Sequence, residues 1–205
     1  MTWEPPIRIT KPRLVVVEGK DDLNFFEALI DHMNLQNIQV VECSGKSRLG
    51  DYLEALVIAS GFHQVTSLGI AVDADDDNSA TFESVCAALR GANLQQPPQP
   101  LVPIGSNPKV EVMILPRVRE NGMLEDLCIE SVSSNPATPC MESYFQCLNE
   151  HSVFPNELSK AKVHVFLASR PTPDKRLGEA AKAGYWPFGD VAFDQVKDFI
   201  NQVIS

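Results

Sequence analysis

One glutamate and a run of aspartates hold the chemistry of this sequence. Glu18 follows the apolar run Leu14-Val15-Val16-Val17, and Asp73, Asp75, Asp76 and Asp77 follow Leu68-Gly69-Ile70-Ala71-Val72. Short apolar runs rich in β-branched residues make buried parallel strands. In open α/β sheets the carboxyl ends of such strands are where ligands bind. Unit charges about 4 Å apart repel by roughly 4 kcal/mol at an effective dielectric near 20. Carboxylates clustered there need a cation or must hold protons. Oxygen-only donors favour Mg²⁺ or Mn²⁺ over zinc. The expected centre is a divalent-cation site at one sheet edge.

The elements that must carry these acids follow from periodicity. After Glu18-Gly19 an amphipathic helix is expected, with Leu23, Phe26, Ile30 and Met33 at helical spacing. Ile38 to Val41 reads as a second strand, followed by a helix bearing Leu49, Leu53, Leu56 and Val57. The third strand is expected at 67–72, and Asp77-Asn78-Ser79 offers N-caps for a helix ending near Gly91. Prolines 97, 98, 100, 103 and 108 exclude helix before a fourth strand at Val110 to Leu115. Residues 13–115 thus read as a Rossmann-like α/β core with a parallel sheet and right-handed crossovers.

Residues 116–205 read as a mostly helical C-terminal extension packed on that core. Helices are expected over Met123 to Val132, and from Thr138 (as N-cap, with Pro139 next) to about Asn149. Residues 157–169 fit a helix through Leu158, Ala161 and Val165, although Val163, Val165 and Leu167 also alternate like a strand. Phe193, Val196, Ile200 and Val203 define a C-terminal amphipathic helix. Pro5, Pro6 and Pro12 prevent an early helix.

Other phosphate and metal motifs fail on spacing. Ser44-Gly45-Lys46-Ser47 lacks the first glycine of a Walker A, because position 40 is valine. Gly45 and Lys46 remain an expected phosphate-binding turn of amides and an ammonium at a helix start. An EF-hand counted from Asp73 would need glycine and glutamate where Asn78 and Ser84 stand. A haloacid-dehalogenase-type phosphatase puts its aspartates after its first strand, which leaves Glu18 unexplained. The four histidines (32, 63, 151, 164) lack ligand spacing.

Seventeen basic against 27 acidic residues give a net charge of −10, which argues against a broad electrostatic footprint on nucleic acid. Residues 162–182 are the exception, holding Lys162, Arg170, Lys175, Arg176 and Lys182. No apolar run reaches membrane-spanning length, so no membrane association is expected. The N-terminus lacks the basic and apolar regions of an export signal. The five cysteines (43, 86, 128, 140, 147) have no CxxC spacing, and reduced thiols in a cytoplasmic protein are expected.

Strand-Glu18-Gly19 followed by strand-Asp73-x-Asp75 resembles the Toprim domain superfamily. Glu18 and Asp22, one helical turn apart, are similar to the paired acids of its nuclease branch, the overcoming-lysogenization-defect nucleases. Gly122-x-Leu124-Glu125-Asp126-Leu127 and the tail from Lys175 to Trp186 also resemble a small Toprim-related family. The resemblance implies Mg²⁺- or Mn²⁺-dependent phosphodiester hydrolysis. Asp73 and Asp75 would hold the metal, with Asp77, Asp22 and Glu125 supporting. Glu18 would activate water or hold a second ion, and Lys175 or Arg176 would neutralise transition-state charge. It further implies a nucleic-acid or nucleotide substrate and, because no ATPase is fused, a separate ATPase partner. The rival expectations are a non-catalytic module gripping a nucleotide, nucleic-acid end or protein, and a small-molecule phosphohydrolase.

Overall fold

The computed structural model describes residues 7–205, so the expectation at Pro5 and Pro6 lies outside the described residues. Arg13–Val17 (β1), Ile38–Glu42 (β2), Ser67–Asp73 (β3) and Lys109–Leu115 (β4) form an all-parallel sheet in the order β2-β1-β3-β4. Helices Lys20–His32 (α1), Leu49–Ile58 (α2) and Asn78–Gly91 (α3) connect the strands. The chain leaves β1 toward β2 on one side and reaches β3 on the other. The strand order therefore reverses between β1 and β3, the crevice where such sheets bind ligands.

Both faces of the sheet are buried at its centre, which is why β1 and β3 read as unbroken apolar runs. Leu14, Val16, Leu68, Ile70, Val72, Val110, Val112 and Ile114 pack with Leu49, Leu53 and Leu56 of α2 and Val85 and Leu89 of α3. Val15, Val17, Ala71 and Met113 face the other layer, which contains α1. The rest of that layer comes from Leu124–Ser131 (α4), Leu158–Ala168 (α6), Leu177–Lys182 (α7) and Asp194–Ile204 (α8). Thr138–Glu150 (α5) buries only Met141. Among the described residues no helix is long and apolar enough to cross a membrane.

Two glycines set the approach of this layer. A Cβ on Gly69 would lie 2.7 Å from both Phe199 and Val203, so α8 rests on bare β3 backbone. A Cβ on Gly178 would lie 2.4 Å from the carbonyl oxygen of Asp21, so α7 meets the start of α1 in the same way.

Two local expectations change, and one ambiguity is resolved in favour of helix. The buried stripe of α1 is centred on Phe25, Phe26, Leu29 and Ile30, with Leu23 and Met33 only partly buried. The reason is that α1 is covered by the sheet and also by Phe188 and Phe193, which contact the Phe25 ring. The N-cap of α5 is Ala137, and Thr138 is already helical, its hydroxyl donating to the Val132 carbonyl. Residues 158–168 are helix, because Val163, Phe166 and Leu167 face one core. The six-residue α7 has no counterpart in the sequence reading.

Candidate functional site

Glu18 is the first residue beyond β1 and Asp73 the last of β3, so the parallel register brings them side by side. The Asp73 N–H donates to Glu18 Oε1 at 3.0 Å. Asp73 Oδ1 accepts from the N–H of Leu124, the first residue of α4, at 2.9 Å. Asp22 sits in the first turn of α1, where its Oδ2 accepts the Gly19 N–H at 2.9 Å. That is the reciprocal half of a capping box, and it fixes the carboxylate against the strand end. Glu125, second residue of α4, completes the group. All four line an open cleft of about 450 Å³, together with Asp21, Glu42 and Lys160.

Burial raises each of these acids, and neighbouring carboxylates add to it most at Asp73. Desolvation pushes Asp22 up to about 7 against the Gly19 hydrogen bond, with Glu18, Glu125 and Asp21 adding repulsion. Asp73 is raised well above the ordinary carboxylate range by burial and then by Asp22, Glu125 and Glu18. Glu18 and Glu125 rise for the same first reason, opposed by Lys46 at Glu18 and by Lys160 at Glu125. The first turns of α1 and α4 open onto the cleft, so their partial positive charge offsets part of the repulsion. The repulsion that remains favours an added cation.

The other expected residues fall outside this group. Asp75 is a turn residue at φ 53°, with its side chain 53% exposed, and it pairs with Lys46 Nζ at 2.6 Å. Lys46 also donates to the Asp73 carbonyl at 2.8 Å, so it braces the loop after β3. Gly45 does line the cleft, at φ 108°. Asp77 caps α3 by accepting from the Ala80 N–H at 2.9 Å. Asp75 and Gly122 form an antiparallel bridge that ties the loop after β3 to the turn before α4. Lys175 is half-buried and Arg176 exposed; neither lines the cleft, although the next residue, Leu177, does.

Lys20 and Lys160 are the cations that line the cleft; Lys160 pairs with Glu157 at 2.7 Å, and its charge is also felt by Glu125 and Asp73. The sequence carries no signal for Lys160. Its position depends on α6 docking beside α4, where Ser159 Oγ donates to Asp126 Oδ1 at 2.5 Å. Asp21 was hidden by its neighbour Asp22; its Oδ1 accepts the Gly178 N–H at 3.1 Å and ties α7 to α1.

Among the described residues, no three His, Cys, Asp or Glu side chains stand grouped so that they could hold a metal ion. Three of the cleft acids each spend one oxygen on a main-chain N–H. In kind the donor set suits Mg²⁺ or Mn²⁺, being all carboxylate oxygen. Cys43 is no thiolate donor, because burial lifts it to about 11. An ion would therefore have to draw the remaining oxygens together.

The family model described as Protein of unknown function (DUF3226) matches residues 12–205. No curated protein and no solved structure matches the chain.

Proposed function

We propose that this chain, which belongs to the DUF3226 family, is a divalent-cation-dependent phosphoester hydrolase working at the Glu18–Asp73 cleft. The observation that carries this reading is the gathering of four half-buried, mutually repelling carboxylates at the point where strand order reverses. Such a set holds neither a free phosphate nor its own full charge without a cation. Asp73, Asp22 and Glu125 are the residues that would hold Mg²⁺ or Mn²⁺. When bound, the ion supplies charge neutralisation and Lewis acidity toward a phosphate oxygen.

The chain's own groups divide the remaining work. Glu18 is held through Oε1 by the Asp73 N–H, with the Lys46 N–H also acting on its carboxylate, and from that position it would accept a proton from an attacking water. Its proton affinity, raised by burial, strengthens it as a base. Lys160 or Lys20 would take the charge-neutralising role first expected of Lys175 or Arg176, because both line the cleft. Lys46 positions Asp73 through its carbonyl and touches no substrate. Nucleotides and nucleic-acid ends are the substrates that a single small cleft on an acidic chain would take.

The test is a cleavage panel of plasmid, single strands, RNA and nucleotides with Mg²⁺ or Mn²⁺, with one arm that adds ATPase partner candidates. Wild type should cleave at least one class. Glu18→Gln should lose about 10²-fold or more, the usual scale of a general base, while Asp73→Asn loses all activity. Cation-dependent binding without cleavage would make the protein a non-catalytic phosphate-gripping module and sink the hydrolase reading.

A further inference from the structure

A second cavity of about 560 Å³ lies at the far ends of α4, α6 and α7, among the segments that follow their last turns. The eight residues of α4 alone separate it from the acidic cleft by about 12 Å. One guanidinium stands in it, that of Arg170, and no carboxylate lines it.

Arg170 is held in place but its charge is unspent. It stacks at 4.6 Å over the Phe166 ring. Its Nε and Nη2 donate to Ser169 Oγ at 3.2 and 2.9 Å, and Nη2 also reaches Asn135 Oδ1 at 3.4 Å. Asn135 is itself anchored, because the same oxygen accepts the Ala137 N–H at 3.0 Å. Among the described residues Arg170 has no acidic partner, whereas Lys46, Arg117, Lys162, Lys182 and Lys197 each pair with a carboxylate.

Capping of the adjacent helix ends does not account for it either. The Phe166 and Leu167 carbonyls accept from the Ser169 and Arg170 N–H groups, and the Glu130 carbonyl accepts from Ser133. The Ala180 and Ala181 carbonyls accept from Tyr185 and Gly184. The turns after the helices satisfy these oxygens, so the guanidinium caps none of them. A guanidinium carries five N–H donors. The hydrogen bonds just described leave both Nη1 hydrogens without a partner among the described residues.

Pro136, Pro171 and Pro187 make stiff apolar walls around this donor, and Tyr185 contributes a half-buried ring. Ser131, Ser134 and Asn135 are the other polar side chains of the lining, and a concave site with apolar walls and a few placed polar groups is the usual form of a small-molecule pocket. We propose that this cavity binds a small organic anion, a flat apolar body bearing one carboxylate or phosphate group, with Arg170 gripping the anionic group. A fixed, stacked guanidinium is suited to planar oxyanions in a way a lysine is not. With a net charge of −10 the protein repels anions at long range, so recognition rests on contact with that one group.

The experiment is an amide NMR titration of the full chain in EDTA with benzoate, phenyl phosphate and the neutral isostere benzamide. At least one anion should shift the Gly184 and Tyr185 amides saturably while Gly19 and Leu124 stay still. Whichever anion binds more tightly identifies the group recognised. Benzamide on wild type, and benzoate and phenyl phosphate on Arg170→Met, should bind about tenfold or more weaker, the loss expected for a charged hydrogen bond. Equal binding of benzamide, or no loss in Arg170→Met, overturns the proposal. So does a response confined to Gly19 and Leu124, or no saturation by either anion at about ten times a millimolar Kd. Should Arg170→Met fail to fold, the wild-type comparison of benzoate with benzamide decides alone.

Discussion

The N–H of Asp73 donates to Oε1 of Glu18 across 55 positions of sequence. Because the bond joins the ends of two hydrogen-bonded strands, the separation of these carboxylates is set by the β1–β3 register and not by side-chain choice. It also gives the pair a fixed asymmetry. Glu18 is oriented by Asp73, while Asp73 is oriented by α4 through the Leu124 N–H.

In the metal-free protein the cleft should lower stability as pH rises. Asp22 moves from an ordinary 3.8 to about 7 in the fold. Between those values the native state keeps a proton that the unfolded chain has released, so unfolding free energy falls with increasing pH. The loss is at most about 4 kcal/mol by the top of that window. Urea melts in EDTA at about pH 5 and pH 8 should show this fall in wild type and a flatter profile in Asp22→Asn. The asparagine oxygen still accepts the Gly19 N–H. Equal slopes would place the pH dependence elsewhere.

Added Mn²⁺ should reverse that instability. A cation binding only the native state adds about 2.7 kcal/mol at a hundred times its Kd, a rise of roughly 5–10 °C for a chain of this size. Asp73→Asn should abolish the shift. Asp75→Asn should keep it, because Asp75 faces Lys46 and not the cleft. A shift lost in both variants, or absent in wild type, would refute this assignment of ligands.

A separate pH effect is expected from β4. Glu111 is fully buried opposite Gly69, and neither carboxylate oxygen has a hydrogen-bond partner among the described residues. Burial lifts it to about 7 against the pull of Lys109. Its folded value exceeds the ordinary 4.5, so its destabilising charge appears as pH rises through that window. Glu111→Leu should stabilise the fold by about 3 kcal/mol more at pH 9 than at pH 5. A gain independent of pH would mean that folding leaves the proton affinity of this carboxyl unchanged.

The close approach of α7 and α1 predicts a steep response at one position. Gly178→Ala places a methyl 2.4 Å from the Asp21 carbonyl oxygen and 2.6 Å from the Asn24 Cβ. Neither neighbour can give way without moving α1. Overpacking of this kind costs about 1–3 kcal/mol. Because Asp21 and Asp22 move with α1, the same variant should weaken the Mn²⁺-induced shift. Unchanged stability in a chemical denaturation series would show that the two helices separate freely.

Much of this was legible in the sequence, and the reasons are physical. Strands buried on both faces leave unbroken apolar runs, so β1 and β3 and the acids ending them stand out. The same reading could not separate Asp73 from Asp75. The first lies in the strand; the second turns into the left-handed region and away from the cleft. Lys160 was invisible because its place depends on a helix docking far along the chain. The six residues of α7 are too few for a helical period to show. Their contribution to the cleft rests on Gly178, whose signal is an absence of side chain.

Gly69 carries a consequence for the order in which the protein takes shape. The strands are complete at Leu115, yet the atoms nearest the bare backbone at Gly69 belong to Phe199 and Val203 of α8. A nascent chain leaving the ribosome would hold the Gly69 stripe of the sheet's second face uncovered until α8 is translated. Contacts this distant in sequence close slowly, and an exposed apolar face awaiting its cover is prone to aggregate. Synthesis that stalls between residues 115 and 194 should therefore yield chains that depend on chaperones, whatever their cleft has already assembled.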